Sequence, residues 1–118
     1  MPSVKVHEDE RTLVIMDINP IQTGQLLVIP KVELGTVWEL PTEDYRALMD
    51  VVQKAGQSLK KQFPGKHIGV MIEGLEITDH AHVKVFPFAN VAEYHGSPDP
   101  NTQPTQAELV SLASKLAF

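Results

Sequence analysis

The 118-residue chain contains no cysteine, which excludes disulfide bonds and thiolate chemistry. It also lacks any apolar run close to the roughly 20 residues that a membrane-spanning helix requires. Residues 1–7 do not have the basic-then-apolar order of a secretory signal peptide. From these absences we expect a cytoplasmic protein with no membrane partner.

Positive charge is scarce as well. Ten Lys and Arg residues stand against fifteen Asp and Glu residues, and the formal net charge is −5. The basic residues are scattered, and we expect Lys60 and Lys61 to end a helix in solvent. Proteins that bind nucleic-acid backbones need a clustered cationic surface. The composition therefore argues against nucleic acid as a partner.

The length and the 42% share of hydrophobic residues suit one domain with its own core. We expect a single domain over residues 1–118, with its core at about residues 4–88. Residues 89–118 are expected to form a C-terminal linker and helix.

Apolar runs and alternating patterns predict the order of secondary structure. The main helix is expected after Pro41 with Thr42 as its cap, and a closing helix is expected after Thr105. The second predicted strand is interpreted as buried on both faces. The predicted fold class is therefore α+β, an antiparallel sheet with one main helix and a C-terminal helix. The five predicted strands cover residues 3–8, 12–18, 25–30, 67–74 and 80–86.

Residues 31–40 do not match one regular pattern. They are expected to form a short irregular helix or a loop that Val37, Trp38 and Leu40 attach to the core. Trp38 is equally suited to packing, to a subunit contact or to ligand stacking. His7 is expected to be exposed on its strand.

The most informative stretch is residues 80–86, which is predicted to form one strand. Side chains alternate between the two faces of a strand, so His80, His82 and Lys84 are expected to project together. The apolar residues between them would pack behind this row. Such a row can bind a metal, hold an anion or present a nucleophile.

Asp17 lies where an apolar strand meets a loop that contains Pro20 and Gly24. A polar side chain in this position can contact a ligand. It can equally stabilise the loop as an Asx turn. The residue pattern leaves both interpretations open.

Three blocks of sequence, residues 17–20, 24–31 and 80–87, resemble the landmarks of the histidine triad family in their order and spacing. The resemblance covers residues 4–87. It implies a HIT-like fold and a small homodimeric nucleotide hydrolase or transferase. It also implies a nucleophile that works without a metal or other cofactor.

The resemblance assigns roles to individual residues. His82 corresponds to the middle histidine, which attacks the α-phosphorus of a nucleotide to form a covalent nucleotidyl-imidazole. A backbone carbonyl on the same strand holds the proton of its other ring nitrogen. His80 corresponds to the first triad histidine, which orients the site. Asp17 would accept hydrogen bonds from ribose hydroxyls, Ile18 would line the base pocket, and Asn19 lies beside them.

Other positions depart from the family pattern. Lys84 stands at the place of the third histidine, where its ammonium can neutralise a phosphate but cannot accept a hydrogen bond. It is equally suited to an ion pair with Glu76 or Asp79. Gln25 stands where many members have another histidine. Glu76 would repel a phosphate, and Thr78 is expected to compensate with its hydroxyl.

Three functions follow from these residues. The first, favoured by the resemblance, is hydrolysis or nucleotidyl transfer at the α-phosphate of a phosphoramidate or a dinucleoside polyphosphate. The second is a nucleotide-binding module with weak or no catalysis, because the third triad position is altered. The third and least favoured is a metal site in which an acid such as Glu76 joins His80 and His82. The favoured function includes no metal.

Overall fold

The computed structural model describes residues 3–73, 80–99 and 101–118. Five strands form one antiparallel sheet in the order β1-β2-β3-β5-β4. The expected α+β class, with a main helix and a C-terminal helix, is confirmed. The strands are β1 Lys5–Glu8, β2 Thr12–Met16, β3 Leu26–Pro30, β4 His67–Ile72 and β5 Val83–Phe88. The helices are α1 Thr42–Gln62, α2 Val91–Tyr94 and α3 Gln106–Leu116, with a 3-10 turn at Val37–Glu39.

One face of the sheet is the core side. Rows of directly paired residues, such as Met16, Leu26 and Val85, are almost completely buried on this face. Helix α1 packs here against β3 and β5 through an apolar stripe that includes Leu48 and Leu59. None of the described helices has both the length and the apolar character needed to cross a bilayer.

The other face is only half-buried, and we call it the open face. Its central row runs from Ile15 on β2 through Leu27 on β3 to Lys84 on β5, because directly paired residues share a face. Leu13 and Ile29 form a second apolar pair beside this row. The prediction that the second strand is buried on both faces is wrong, since the helices cover mainly the opposite face.

Helix α2 closes one end of the open face. Tyr94 stacks near Phe86 and Phe88, with ring centroids 5.4 and 5.0 Å away, and its hydroxyl donates to the carbonyl of Val70 at 3.1 Å. Gly69 makes room for this ring, because a Cβ there would lie 2.7 Å from Tyr94 Cε2. The sequence analysis did not predict this short helix.

Two predictions about helix starts have different outcomes. The closing helix begins as expected, since the Glu108 N–H donates to the Thr105 hydroxyl and the Thr105 N–H donates to the Glu108 carboxylate. The prediction of Thr42 as the cap of α1 is wrong. Pro41 occupies the cap position, and no side chain caps the helix. The acidic first turn is instead held by Arg11, which pairs with Asp44 at 3.1 Å.

The segment before α1 attaches to the core by fewer residues than expected. Val37 is buried, whereas Trp38 is 70% exposed. Trp38 therefore does not pack in the core that the structure describes, and of the three predicted roles a subunit contact or a ligand contact remains.

Candidate active site

The histidine segment follows a different course from the predicted strand. Strand β5 begins at Val83, not at His80. The ladder with β3 ends at the pair formed by Val28 and Val83. Before that pair the chain turns toward residues 31–40, where the Ala81 N–H donates to the Leu34 carbonyl at 2.6 Å. The two histidines therefore lie just outside the sheet, at the entrance to β5.

His80 is fixed across the end of β3. Its Nε2 bonds the backbone carbonyl of Pro30. That carbonyl accepts only, so His80 Nε2 carries the proton in this contact. The side chain is half-buried and ties the histidine segment to the neighbouring strand.

His82 has a defined orientation. Its Nδ1 lies 3.3 Å from the carbonyl oxygen of His80. A carbonyl oxygen only accepts hydrogen bonds, so Nδ1 must carry the proton and the neutral ring must hold its lone pair on Nε2. No described residue hydrogen-bonds this Nε2. The ring is therefore ready to offer Nε2 to an electrophile.

Lys84 lies two residues further along the same face, in the central row of the open face. Its Nζ donates to Glu73 Oε1 at 2.5 Å, and the two side chains are 21% and 31% exposed. Lys84 therefore forms an ion pair with Glu73, a partner that was not predicted from the sequence. The partners named from the sequence, Glu76 and Asp79, lie outside the described residues.

Asp17 and Gln25 form a second polar cluster at the end of β2. The Gln25 Nε2 donates to Asp17 Oδ2 at 2.7 Å, and Gln25 Oε1 accepts from the Ile21 N–H at 3.0 Å. Gln25 is 1% exposed. The Asn19 N–H donates to Asp17 Oδ1 at 2.9 Å, which is the Asx turn that was one of the two interpretations. The Asp17 side chain therefore stabilises the loop, and its carboxylate still lies at the surface of the sheet.

The loop of residues 17–24 needs glycine at its end. Gly24 has a φ of +93°, and a Cβ there would lie 2.9 Å from the Phe63 ring. Both facts exclude a larger residue. Ile18, which the resemblance places at the base pocket, is 43% exposed on this loop.

The spacing of residues along β3 and β5 gives the order of the predicted site residues along the open face. Side chains on one face of a strand are about 7 Å apart. Along β3 and the residue before it, Gln25, Leu27 and Ile29 follow one another on the same face at such intervals. Lys84 lies opposite Leu27, and His82 comes two residues before Lys84. The apolar row of Ile15 and Leu27 therefore lies between the Asp17 cluster and His82.

Ile15 and Leu27, which line the open face, were not predicted from the sequence as candidate site residues. Both stand in unbroken apolar runs, where alternation between the two faces cannot be seen. Thr78, the remaining predicted site residue, lies outside the described residues. Over the described ranges, no three histidine or carboxylate side chains are grouped as metal ligands would be.

Comparison with known proteins identifies the family to which the chain belongs. The HIT domain family model matches residues 1–91, and the chain belongs to this family. A crystal structure of a Hit-like protein involved in cell-cycle regulation from Bartonella henselae superposes with a TM-score of 0.82 and 30% identity. It covers 98% of this chain and 85% of that chain.

Two further relatives are longer proteins than this chain, and one of them is also less similar in sequence. Protein hit of Bacillus subtilis is 35% identical over 63 residues, which are 53% of this chain and 43% of that protein. Adenylylsulfatase HINT3 of Arabidopsis thaliana is 26% identical over 90 residues, which are 73% of this chain and 46% of that protein. The chain thus spans less than half the length of either relative.

Proposed function

We propose that the protein binds a nucleotide on the open face and transfers or hydrolyses its nucleoside monophosphate group through His82. The observation that carries the proposal is the hydrogen bond between His82 Nδ1 and the carbonyl of His80, at 3.3 Å. It leaves the lone pair of the neutral imidazole on Nε2, the atom that must attack phosphorus. A half-exposed histidine with this orientation is suited to nucleophilic catalysis.

The reaction has two balanced steps. First, His82 Nε2 forms a bond to the α-phosphorus while the bond to the leaving group breaks, and the leaving group takes a proton from the Lys84 ammonium. Second, water attacks the same phosphorus and gives a proton to the Lys84 amine, the phosphorus–nitrogen bond breaks, and the neutral imidazole and the Lys84 ammonium are restored. The Arabidopsis relative is named an adenylylsulfatase. This name supports nucleoside 5′-phosphate derivatives, such as phosphoramidates or dinucleoside polyphosphates, as the substrate class.

Lys84 is proposed to take the place of the third triad histidine and to hold the phosphate. Its ammonium is already placed on the open face by Glu73 at 2.5 Å. When a phosphate binds, it replaces the Glu73 carboxylate as the partner of the ammonium. The Lys84 ammonium can also donate a proton to the leaving group. A neutral histidine, which carries one ring proton, donates it less readily.

The nucleoside would extend from His82 across the apolar row. Ile15 and Leu27 offer the flat apolar surface that a base requires, and Ile18 adds to it from the loop. Asp17 is proposed to accept from the ribose hydroxyls while Gln25 and the Asn19 N–H hold its carboxylate in place. Thr78 is kept in this proposal as a phosphate contact on the basis of the sequence alone.

We also propose a homodimer. The sheet order leaves one side of β4 unpaired by the described strands, and Val70 on this strand is 39% exposed. Tyr45 on α1 is 41% exposed, and Trp38 lies just before the helix. Exposed apolar residues on the sheet edge and main helix are what an interface there requires. Sedimentation velocity at micromolar concentration tests this, and a monomer would contradict it. A cytoplasmic location is likewise kept as a proposal, on the sequence features given above.

The second candidate is a binding module without turnover, and the Lys84–Glu73 ion pair favours it. This pair engages the Lys84 ammonium with a carboxylate, so its charge is less available to stabilise the transition state at phosphorus, whereas the proposed base and ribose contacts do not depend on it. The two candidates share the nucleotide site and differ only in chemistry.

Intact-protein mass spectrometry separates the two candidates. Wild type and His82→Ala are incubated with adenosine 5′-phosphoramidate and quenched without acid. The proposed reaction predicts an added adenylyl mass on wild type and none on His82→Ala. Calorimetry with AMP is the control for binding. AMP binding by wild type with neither an adduct nor turnover would establish the binding module, and retained turnover in His82→Ala would refute the assignment of the nucleophile.

A further inference from the structure

A separate groove of about 580 Å³ lies on the helix side of the molecule. Its walls come from the second half of α1, the last turn of α3 and the strand β1. We call it the lysine groove, and its main lining residues are His7, Lys54, Ser58, Lys61, Lys115 and Phe118. No residue of the open face lines it.

The lysine groove concentrates positive charge in an acidic protein. Lys54, Lys61 and Lys115 line it, and no aspartate or glutamate does. Over the described parts of the chain, no carboxylate lies within ion-pair distance of these amines. Lys5, Lys31 and Lys84, in contrast, all pair with glutamates.

Helix ends explain only part of this arrangement. Lys61 and Lys115 lie in the last turns of α1 and α3, where a positive charge complements the helix dipole. Lys54 lies two turns before the end of α1, beyond the reach of that effect. The helix dipole therefore does not account for the third lysine in this groove.

The rest of the groove is built by specific contacts. The His7 ring stacks on Phe118 with centroids 4.5 Å apart and an angle of 10° between the planes. His7 Nδ1 bonds a main-chain oxygen of Phe118 at 2.9 Å and the side chain is half-buried, so the expectation that His7 is simply exposed is wrong. The Ser58 hydroxyl donates to the Leu116 carbonyl at 2.5 Å and joins α3 to α1. Asp9 bonds the other nitrogen of His7 at 3.0 Å but does not line the groove.

We propose that the lysine groove binds a linear oligophosphate, either free or as the tail of a nucleoside triphosphate. Lysine ammonium groups bind phosphate as compact point charges. Lys54 and Lys61 are seven residues apart on α1, which is about 10 Å along the helix. This spacing favours an extended chain of phosphates over a single one. Phe118, which is 39% exposed, offers a surface on which a base can stack.

The test is calorimetry with inorganic tripolyphosphate on wild type, first alone and then with saturating AMP. AMP occupies the open face in the proposed function, so a tripolyphosphate site that persists with AMP present is a separate site. We expect one such site in wild type, with affinity that falls as NaCl is raised. Comparing ATP with tripolyphosphate on wild type and on Phe118→Ala distinguishes the two sources of the phosphate chain. A preference for ATP that Phe118→Ala removes indicates the nucleotide.

The key variant is the triple substitution Lys54→Gln, Lys61→Gln and Lys115→Gln, which keeps three polar side chains and removes the charge. We expect it to weaken tripolyphosphate binding about tenfold or more. The matched control is Arg46→Gln, which removes an exposed charge that no described residue pairs, on the same helix outside the groove. It should leave the affinity unchanged.

Three results would overturn the proposal: no binding by wild type at millimolar tripolyphosphate, full affinity in the triple variant, or equal losses in the triple variant and in Arg46→Gln. NMR on the wild-type protein provides a check that needs no variant. Tripolyphosphate should shift the amides of Ser58 and Ala117 in the groove. Shifts confined to His82 and Lys84 would assign the anion to the open face and refute the lysine groove. Failure here leaves the proposed nucleotide reaction untouched, because that reaction is measured at His82.

Discussion

Replacing Gln25 by alanine tests whether the Asp17 cluster is built as the structure indicates. Gln25 is 1% exposed and bridges Asp17 Oδ2 at 2.7 Å and the Ile21 N–H at 3.0 Å. Alanine removes one charge-assisted and one neutral hydrogen bond and leaves both partners unsatisfied. These losses add to about 3 kcal/mol of unfolding free energy. The Asp17 carboxylate also loses the contact that orients it, so AMP should bind more weakly.

Urea unfolding followed by far-UV circular dichroism measures the first effect, and calorimetry with AMP measures the second. Trp38 is 70% exposed, so its fluorescence is a poor probe of unfolding here. Gln53→Ala on the exposed side of α1 is the matched control and should change stability by less than about 0.5 kcal/mol. A loss below about 1 kcal/mol in Gln25→Ala would refute the reasoning, because a buried bridge cannot be lost so cheaply.

Three further predictions concern stability. In thermal melts Gly69→Ala should destabilise the protein by about 2 kcal/mol, because its Cβ would lie 2.7 Å from the Tyr94 ring. Gly56→Ala has room in α1 and should stabilise the protein by about 0.5–1 kcal/mol. Equal effects of the two substitutions would contradict this prediction. In urea unfolding Thr105→Ala should cost about 1 kcal/mol through the lost cap of α3, and an unchanged midpoint would exclude the capping box. Hydrogen bonds from Lys31 and then Lys5 lower the pKa of Glu8 from 4.5 to about 2. A lowered folded-state pKa stabilises above the unfolded value, so this contribution should be lost as pH falls from about 4.5 to 2, and Glu8→Gln should melt with a weaker dependence on pH in that window.

Regular elements were predicted well from the sequence because each carries a local signal. The apolar spacing of α1 and the threonine and glutamate at the start of α3 are local signals that can be recognised without knowing the rest of the fold. The antiparallel character of the sheet was also expected and is confirmed, for example in the pairing of β4 with β5.

What could not be predicted depends on contacts between distant residues. The first turn of α1 pairs with Arg11 from the β1–β2 connection, a contact that the local cap signal at Thr42 does not contain. The start of β5 depends on Leu34, whose carbonyl takes the Ala81 N–H away from the sheet. The proposed roles of His82 and Asp17 rest on the family resemblance, and the sequence pattern alone left metal binding, anion binding and nucleophilic attack open.

The proposed site works by exchanging one anion for another. An unpaired ammonium on a half-buried face would lose hydration without compensation, and Glu73 prevents this by pairing with Lys84 when no ligand is bound. In the proposed exchange, an entering phosphate takes over the same hydrogen bond while the Glu73 carboxylate moves toward water. A histidine at this position would need no such partner, because it is largely neutral at pH 7. Under this proposal, phosphate affinity depends on how easily Glu73 is released from Lys84.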